Sequence, residues 1–197
     1  NLLLEAIADE LVAHIEEILS ANNADILAAK AAHKNENRID RMRLDEKRII
    51  DMVIGIHELI ALPDPVGDFT PFDTLENGLK IAQMRVPLGV VGMIYEARPN
   101  VTIDAAVLCL KAGNAVFLRG SKDIMQTNLV LIGCMKRACM CNDLPCDIIQ
   151  FVEDPSHESA ERFMRLHGYL DVLIPRGGAE LIARCVEKAS VPLIETG

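Results

Sequence analysis

Residues 86–121 read VPLGVVGMIYEARPNVTIDAAVLCLKAGNAVFLRGS, and this stretch decides the fold. The apolar, β-rich run from Leu88 to Tyr95 leads into an Arg98-Pro99-Asn100 loop. A helical run from Thr102 to Lys111 follows and stops at Gly113. A second β-rich run, Ala115 to Leu118, ends at Arg119-Gly120-Ser121. Strand, helix and strand at this spacing make one βαβ unit, which joins parallel strands. Ligands of such sheets bind in the crevice outside the carboxyl ends of the strands. Those ends carry Glu96, Arg98, Asn100, Arg119 and Ser121, polar groups on loops held by apolar scaffolding.

Downstream the alternation continues. It predicts strands at 88–95, 115–118, 148–152, 170–174 and 191–195, and helices at 102–112, 123–141, 156–167 and 178–189. Upstream, apolar residues at helical spacing predict a helix over 2–19, with Asn22-Asn23 as punctuation and a second helix at about 24–32. The stretch from His33 to Asn37 reads as polar connection, and a third helix runs from about Asp45 to Ala61. Residues 63–72, PDPVGDFTPF, are rich in breakers and read as a linker. Asn77-Gly78 between β-capable runs is a hairpin signal. The expected fold class is therefore α/β, a parallel-sheet, Rossmann-like cofactor domain over 87–197. N-terminal helices (1–62) pack on it, and a linker with a β-hairpin arm (63–86) lies between.

Composition narrows the function. The chain has 197 residues, half of them hydrophobic, and a formal charge of −9. That acidic balance argues against a nucleic-acid partner. No apolar run approaches the roughly 18 residues of a membrane span, and the N-terminus lacks the cationic start of a signal peptide. The six cysteines match no familiar zinc spacing, so no metal is expected and the thiols read as reduced and mostly buried in a cytoplasmic protein.

The motifs point toward a nucleotide. The GxGxxG fingerprint is absent, with Gly89 and Gly92 inside the first strand instead, and no P-loop occurs. Arg119 closes the second strand, where an acid would hold a ribose 2′-hydroxyl and a base accommodates a 2′-phosphate. Arg119-Gly120-Ser121-Lys122 supplies two cations and a hydroxyl, which favours NADP over NAD unless Arg119 is plain surface. Pro175-Arg176-Gly177-Gly178 follows the fourth strand and opens a helix. Such a corner attracts anions, or else serves only as a turn. Asn100 could donate to a developing oxyanion and Arg98 could meet a substrate carboxylate or phosphate; the competing reading is a turn in which Asn100 caps the next helix. Glu195 is a candidate acid/base or nicotinamide-side carboxylate. No cysteine sits on a strand-end loop beside a histidine, so no nucleophile stands out.

RVPLGVVGMIYEARPNVTIDAA (85–106), LKAGNAVFLRGS (110–121), LDVLIPRGG (170–178) and VPLIETG (191–197) together resemble the γ-glutamyl phosphate reductases, the proline-biosynthesis branch of the aldehyde dehydrogenase superfamily. The resemblance is in register over residues 4–197. It implies a cofactor domain of aldehyde dehydrogenase type, a catalytic domain and a small oligomerisation arm, hence a homo-oligomer. It implies that NADPH reduces L-glutamyl 5-phosphate to L-glutamate 5-semialdehyde with release of phosphate, through a cysteine thioester, and a functional link to glutamate 5-kinase. In that family the positions of Arg119 to Ser121 and Pro175 to Gly178 line the cofactor cleft, and Asn100 falls as an oxyanion or substrate contact; Glu96 and Arg98, clustered with it after the first strand, are further substrate-binding candidates. Glu195 matches the superfamily's motif glutamate, although a reduction needs no hydrolytic base. The family usually shows Arg-Gly-Gly-Ser where this chain has Arg119-Gly120-Ser121-Lys122; the added lysine should favour a 2′-phosphate, and the lost glycine should narrow backbone approach. The nucleophilic cysteine matches none of the six here, so the chain reads as a fragment without its catalytic domain. Alternatives are another aldehyde or acyl-phosphate dehydrogenase of the superfamily, or a non-catalytic interaction module on the same fold.

Overall fold

A computed structural model describes residues 1–195. The last two residues of the VPLIETG motif, Thr196 and Gly197, lie outside the described residues. Four parallel strands form the central sheet: β3 (Val90–Tyr95), β4 (Ala115–Arg119), β5 (Ile149–Phe151) and β6 (Val172–Arg176), in the order β5-β4-β3-β6. The register pairs Ile94 with Arg119 and Tyr95 with Arg176, so β3, β4 and β6 end on one edge. A two-stranded antiparallel hairpin, β1 (Asp73–Thr74) with β2 (Lys80–Ile81), stands apart, turned by Asn77-Gly78 with Gly78 at φ +83°.

Two layers of helix cover the sheet. Helices α5 (Pro99–Lys111) and α6 (Met125–Cys141) pack on the face built from Val91, Val116, Leu118 and Val172. Helices α7 (His157–Met164) and α8 (Ala179–Lys188) cover the opposite face around Ile94, Phe163, Leu173 and Cys185. Alternation of side chains across a strand produces this division. The N-terminal helices α1 (Leu2–Ala13), α2 (Ile15–Ala31) and α4 (Glu46–Ala61) add an outer layer, burying Ile7, Leu11, Ile18, Ile49 and Ile56 against α5 and α6. None of the described helices is long and apolar enough to cross a membrane.

Several sequence expectations need correction. The helix expected over 2–19 breaks at His14, which leaves helical geometry and points its ring Nδ1 at the Glu10 carbonyl, 2.9 Å away. Asn22-Asn23 does not punctuate the chain. α2 runs through it, because the Asn22 amide is satisfied by tertiary bonds to Met42 O (2.8 Å), Leu44 N (2.8 Å) and Thr127 Oγ1 (3.2 Å). A short helix, α3 (Glu36–Met42), occupies part of the stretch read as connection, capped by the Asn35 side chain. Pro175 and Arg176 lie inside β6 rather than after it; β6 is the end strand of the sheet, where a missing N–H is tolerated. The strand expected at 191–195 reduces to a single bridge between Leu173 and Leu193.

Candidate functional site

Successive crossovers place β4 and β5 on one side of β3 and return β6 to the other. The order of strands therefore reverses between β3 and β6, the position where parallel sheets open a crevice for ligands. Out of β3 the chain runs Glu96-Ala97-Arg98 and enters α5 at Pro99, whose ring pre-sets the first helical turn. Arg98 is extended, at φ −134° and ψ 102°, as a residue before proline must be. Out of β6 the chain passes Gly177-Gly178 and enters α8. The two exits meet where Gly178 N donates to Glu96 Oε1 at 3.1 Å. A Cβ on Gly177 would stand 2.7 Å from Leu181 Cδ2 and 2.9 Å from Glu96 Cδ, so glycine there lets the carboxylate reach the helix start. An anionic oxygen thus already occupies one amide at the α8 N-terminus, the place suited to a phosphate.

An outer lobe of about 540 Å³ opens over the end of β4, lined by Tyr95, Glu96, Arg119, Ser121, Lys122 and Ser156 among others. Arg119 braces the neighbouring loop: its Nη2 donates to the carbonyls of Pro155 (3.2 Å) and Ser156 (3.0 Å). Its Nε is buried without a hydrogen-bond partner among the described residues. Burial lowers the pKa of this guanidinium, and Asp154 opposes the shift. The Asp154 carboxyl is itself held low, chiefly by the backbone and hydroxyl hydrogen bonds of Ser156 at 2.8 and 3.0 Å. Gly120 is buried, and any Cβ there would overlap the Asn128 amide and approach the Tyr95 ring to 3.2 Å. Beneath it, Tyr95, Thr102 and Asn128 form a buried chain with links of 2.7 Å, in which the Thr102 hydroxyl donates to Asn128 Oδ1. Ser121 Oγ accepts from Asp123 N at 3.3 Å and caps the 3₁₀ turn Lys122–Ile124. Lys122 is exposed and forms no ion pair among the described residues.

An inner lobe of about 330 Å³ lies over the β3–β6 junction, lined by Arg41, Glu96, Arg98, Arg176, Gly177 and Gly178 with Val101. Glu96 lines both lobes, so Arg119 and the 176–178 corner share one edge of the molecule. Other expected site residues stand differently. Pro175 is buried in β6. Asn100 caps nothing: it sits in the first turn of α5 and its amide donates to Asp104 Oδ2 at 3.0 Å. Burial raises the Asp104 pKa, against the pull of that bond. With Arg98, Asn100 lines a larger apolar groove beside the inner lobe, together with Leu59, Met93 and Ile174. Glu195 is exposed, two residues past the Leu193 bridge, and lines neither lobe.

Two site residues escaped the sequence reading. Arg38 and Arg41, one turn apart on α3, face the outer and inner lobes respectively. Arg38 pairs with Asp123 at 2.7 Å, which pins α3 to the β4–α6 turn. Their signal was Ile39 and Met42, two apolar residues at helical spacing, which α3 buries. Four of the six thiols are buried, and burial pushes Cys109 and Cys134 up to about 11. No group of three or more His, Cys, Asp or Glu fit to hold a metal ion occurs among the described residues.

Comparison with known proteins agrees with this architecture. Residues 8–193 match the model of the aldehyde dehydrogenase family. The chain is 50% identical, over all of its 197 residues, to a γ-glutamyl phosphate reductase of Bacillus cereus and covers 48% of that protein. A crystal structure of γ-glutamyl phosphate reductase from Thermotoga maritima superimposes with a TM-score of 0.94 at 37% identity, over 99% of this chain and 47% of that one. The Saccharomyces cerevisiae γ-glutamyl phosphate reductase gives a TM-score of 0.89 at 26% identity, over 98% of this chain and 49% of that one. A Listeria monocytogenes protein described as a probable aldehyde dehydrogenase, 16% identical with a TM-score of 0.74 over 100% of this chain and 40% of that one, shares the fold. The chain spans about half the length of the curated relatives it matches.

Proposed function

The chain belongs to the aldehyde dehydrogenase family, and from that premise we propose that it is the nucleotide-binding part of an NADPH-dependent γ-glutamyl phosphate reductase. The whole protein would reduce L-glutamyl 5-phosphate to L-glutamate 5-semialdehyde and release phosphate, a step of proline biosynthesis carried out in the cytoplasm. The observation that carries the reading is the pair of cavities at the strand-order reversal that share Glu96, one beside Arg119 and Lys122 at the end of β4 and one at the α8 N-terminus. A nicotinamide dinucleotide fits this arrangement through the Ser121 hydroxyl and Lys122 for a ribose and its phosphate and through Arg176 at the α8 corner for a diphosphate, with the Glu96 carboxylate on the Gly178 amide as the group it must displace. When bound, such a cofactor supplies a hydride.

The chain's own groups then have separate tasks. Ser121 and the unpaired Lys122 receive the adenosine ribose and its 2′-phosphate, while Arg119 braces the 155–156 loop that walls the lobe. Arg176, Gly177 and Gly178 form the corner for the diphosphate, with Pro175 holding it to the sheet. Arg98 and Asn100 face the substrate side, where a guanidinium suits a phosphate or carboxylate and an amide suits an oxyanion. Glu195 takes a weaker, nicotinamide-side role. The thioester-forming thiol is not assigned to this chain, because none of its six cysteines matches the family's nucleophile and four of them are buried. The proposed assembly is a homo-oligomer, functionally linked to the kinase that makes the acyl phosphate.

Thermal unfolding with added dinucleotide tests the cofactor assignment. NADPH should raise the melting temperature more than NADH at equal concentration, because a ligand that binds only the folded chain stabilises it. An equal response to both, or none to either, overturns it.

A further inference from the structure

Arg41, Arg98 and Arg176 reach the inner lobe from three separate elements: α3, the β3–α5 loop and the end of β6. All three are exposed, and none pairs with a carboxylate among the described residues. The single acid lining the lobe, Glu96, is engaged with the backbone N–H of Gly178. Three arginines thus line one small cavity with one acidic residue, in a chain whose formal charge is −9. Unpaired like charges repel, and such a cluster is stabilised when an anion enters it. Guanidinium is also the group whose fork of donors matches a phosphoryl group bidentately.

We propose that Arg41, Arg98 and Arg176 form a phosphoryl-group subsite completed by α3 of the N-terminal helical layer. Arg41 is the new member. It brings into the cleft a part of the chain that a βαβ reading treats as scaffold. The inference rests on the proposed function only for the source of the phosphoryl group, which is either the dinucleotide diphosphate or the 5-phosphate of the acyl phosphate. The oxyanion chemistry is common to both. Glu96 opposes the anion, since it already holds the Gly178 amide and adds a negative charge beside it.

Inorganic phosphate is the probe, with melting temperature followed in potassium phosphate against potassium chloride at matched ionic strength. Phosphate should raise the melting temperature saturably. R41Q, R98Q and R176Q should each weaken phosphate binding roughly tenfold, the scale of a charge-assisted hydrogen bond. R41K should restore part of the loss. E96Q should strengthen binding several-fold, a sign that a folding defect would not produce; each variant's melting temperature in chloride serves as the folding control. A phosphate effect no larger than that of chloride, an R41Q response equal to the native one, or a weaker E96Q response overturns the subsite. If NADPH abolishes the phosphate response, the subsite serves the diphosphate. If a non-hydrolysable phosphonate analogue of glutamyl phosphate abolishes it and NADPH does not, it serves the substrate. A response that R41Q removes but neither ligand affects upholds the subsite and overturns the proposed function.

Discussion

Asp25 shows how one side chain joins two layers of this protein. It lies on α2, buried, and its carboxylate accepts from Gln126 N at 3.2 Å, Thr127 N at 2.8 Å and Thr127 Oγ1 at 2.7 Å. These amides are orphan donors at the start of α6, whose own N-cap residue, Ile124, has no polar atom to offer. The cap therefore comes from another helix, and its negative charge stands at the positive end of the α6 dipole. Asn22, nearly one turn earlier, donates to the same Thr127 hydroxyl, so the pair works as one buried network. Asp25→Ala should cost about 2–4 kcal/mol, since it leaves several buried donors without partners. Asp25→Asn, which keeps an acceptor, should cost less. Urea unfolding checks this: the midpoint falls while the m-value holds. An unchanged midpoint for Asp25→Ala would mean that water satisfies α6 as well as Asp25 does.

Among elements, what the sequence revealed depended on how local the cause was. β3, α5 and β4 were legible because an apolar run, a helical run and Gly113 at φ +75° each act within a few residues, although α5 starts at Pro99, inside the stretch that reads as a loop, rather than at Thr102. The hairpin was legible because a left-handed residue is needed at Gly78. α3 was not: a seven-residue helix with two buried apolar side chains carries too little periodicity, and it is fixed instead by the distant Arg38–Asp123 pair. For the same reason its two arginines were missed, and Asn22 was read as a break when its partners lie 20 and more residues away. At the cleft, Gly120 and Gly177 make room for the side chains of Asn128 and Glu96. That role is testable. Gly120→Ala pushes a methyl into the Asn128 amide, which is tied through Thr102 to Tyr95, so it should destabilise by about 1–3 kcal/mol, the usual cost of overpacking. Chemical denaturation with no ligand present measures it. A neutral result would mean that the buried chain relaxes freely.

Across the whole molecule, apolar surface is distributed unevenly. Phe69, Phe72, Leu79, Ile81, Met84 and Val86 are all exposed along one arm, with Phe69 and Phe72 stacked at 6.3 Å between ring centres. The short hairpin in that arm pairs only with itself, which leaves both outer edges open to another strand. Scattered apolar residues are ordinary on a protein surface, but a run along one element is the kind of surface that the proposed homo-oligomer would bury. The charge of −9 works against self-association except where apolar contact outweighs repulsion, and the arm is where it can. The chain should therefore self-associate through this arm. Phe72→Asp places a charge in the patch without touching the core, because Phe72 is 65% exposed. It should lower the average mass seen in sedimentation at a fixed concentration and leave the far-UV spectrum unchanged. High salt should strengthen association of the native chain by screening its net charge. If Phe72→Asp leaves the mass distribution untouched while salt still promotes association, the contact lies elsewhere, and the apolar groove lined by Leu59, Met93 and Ile174 is the next surface to alter.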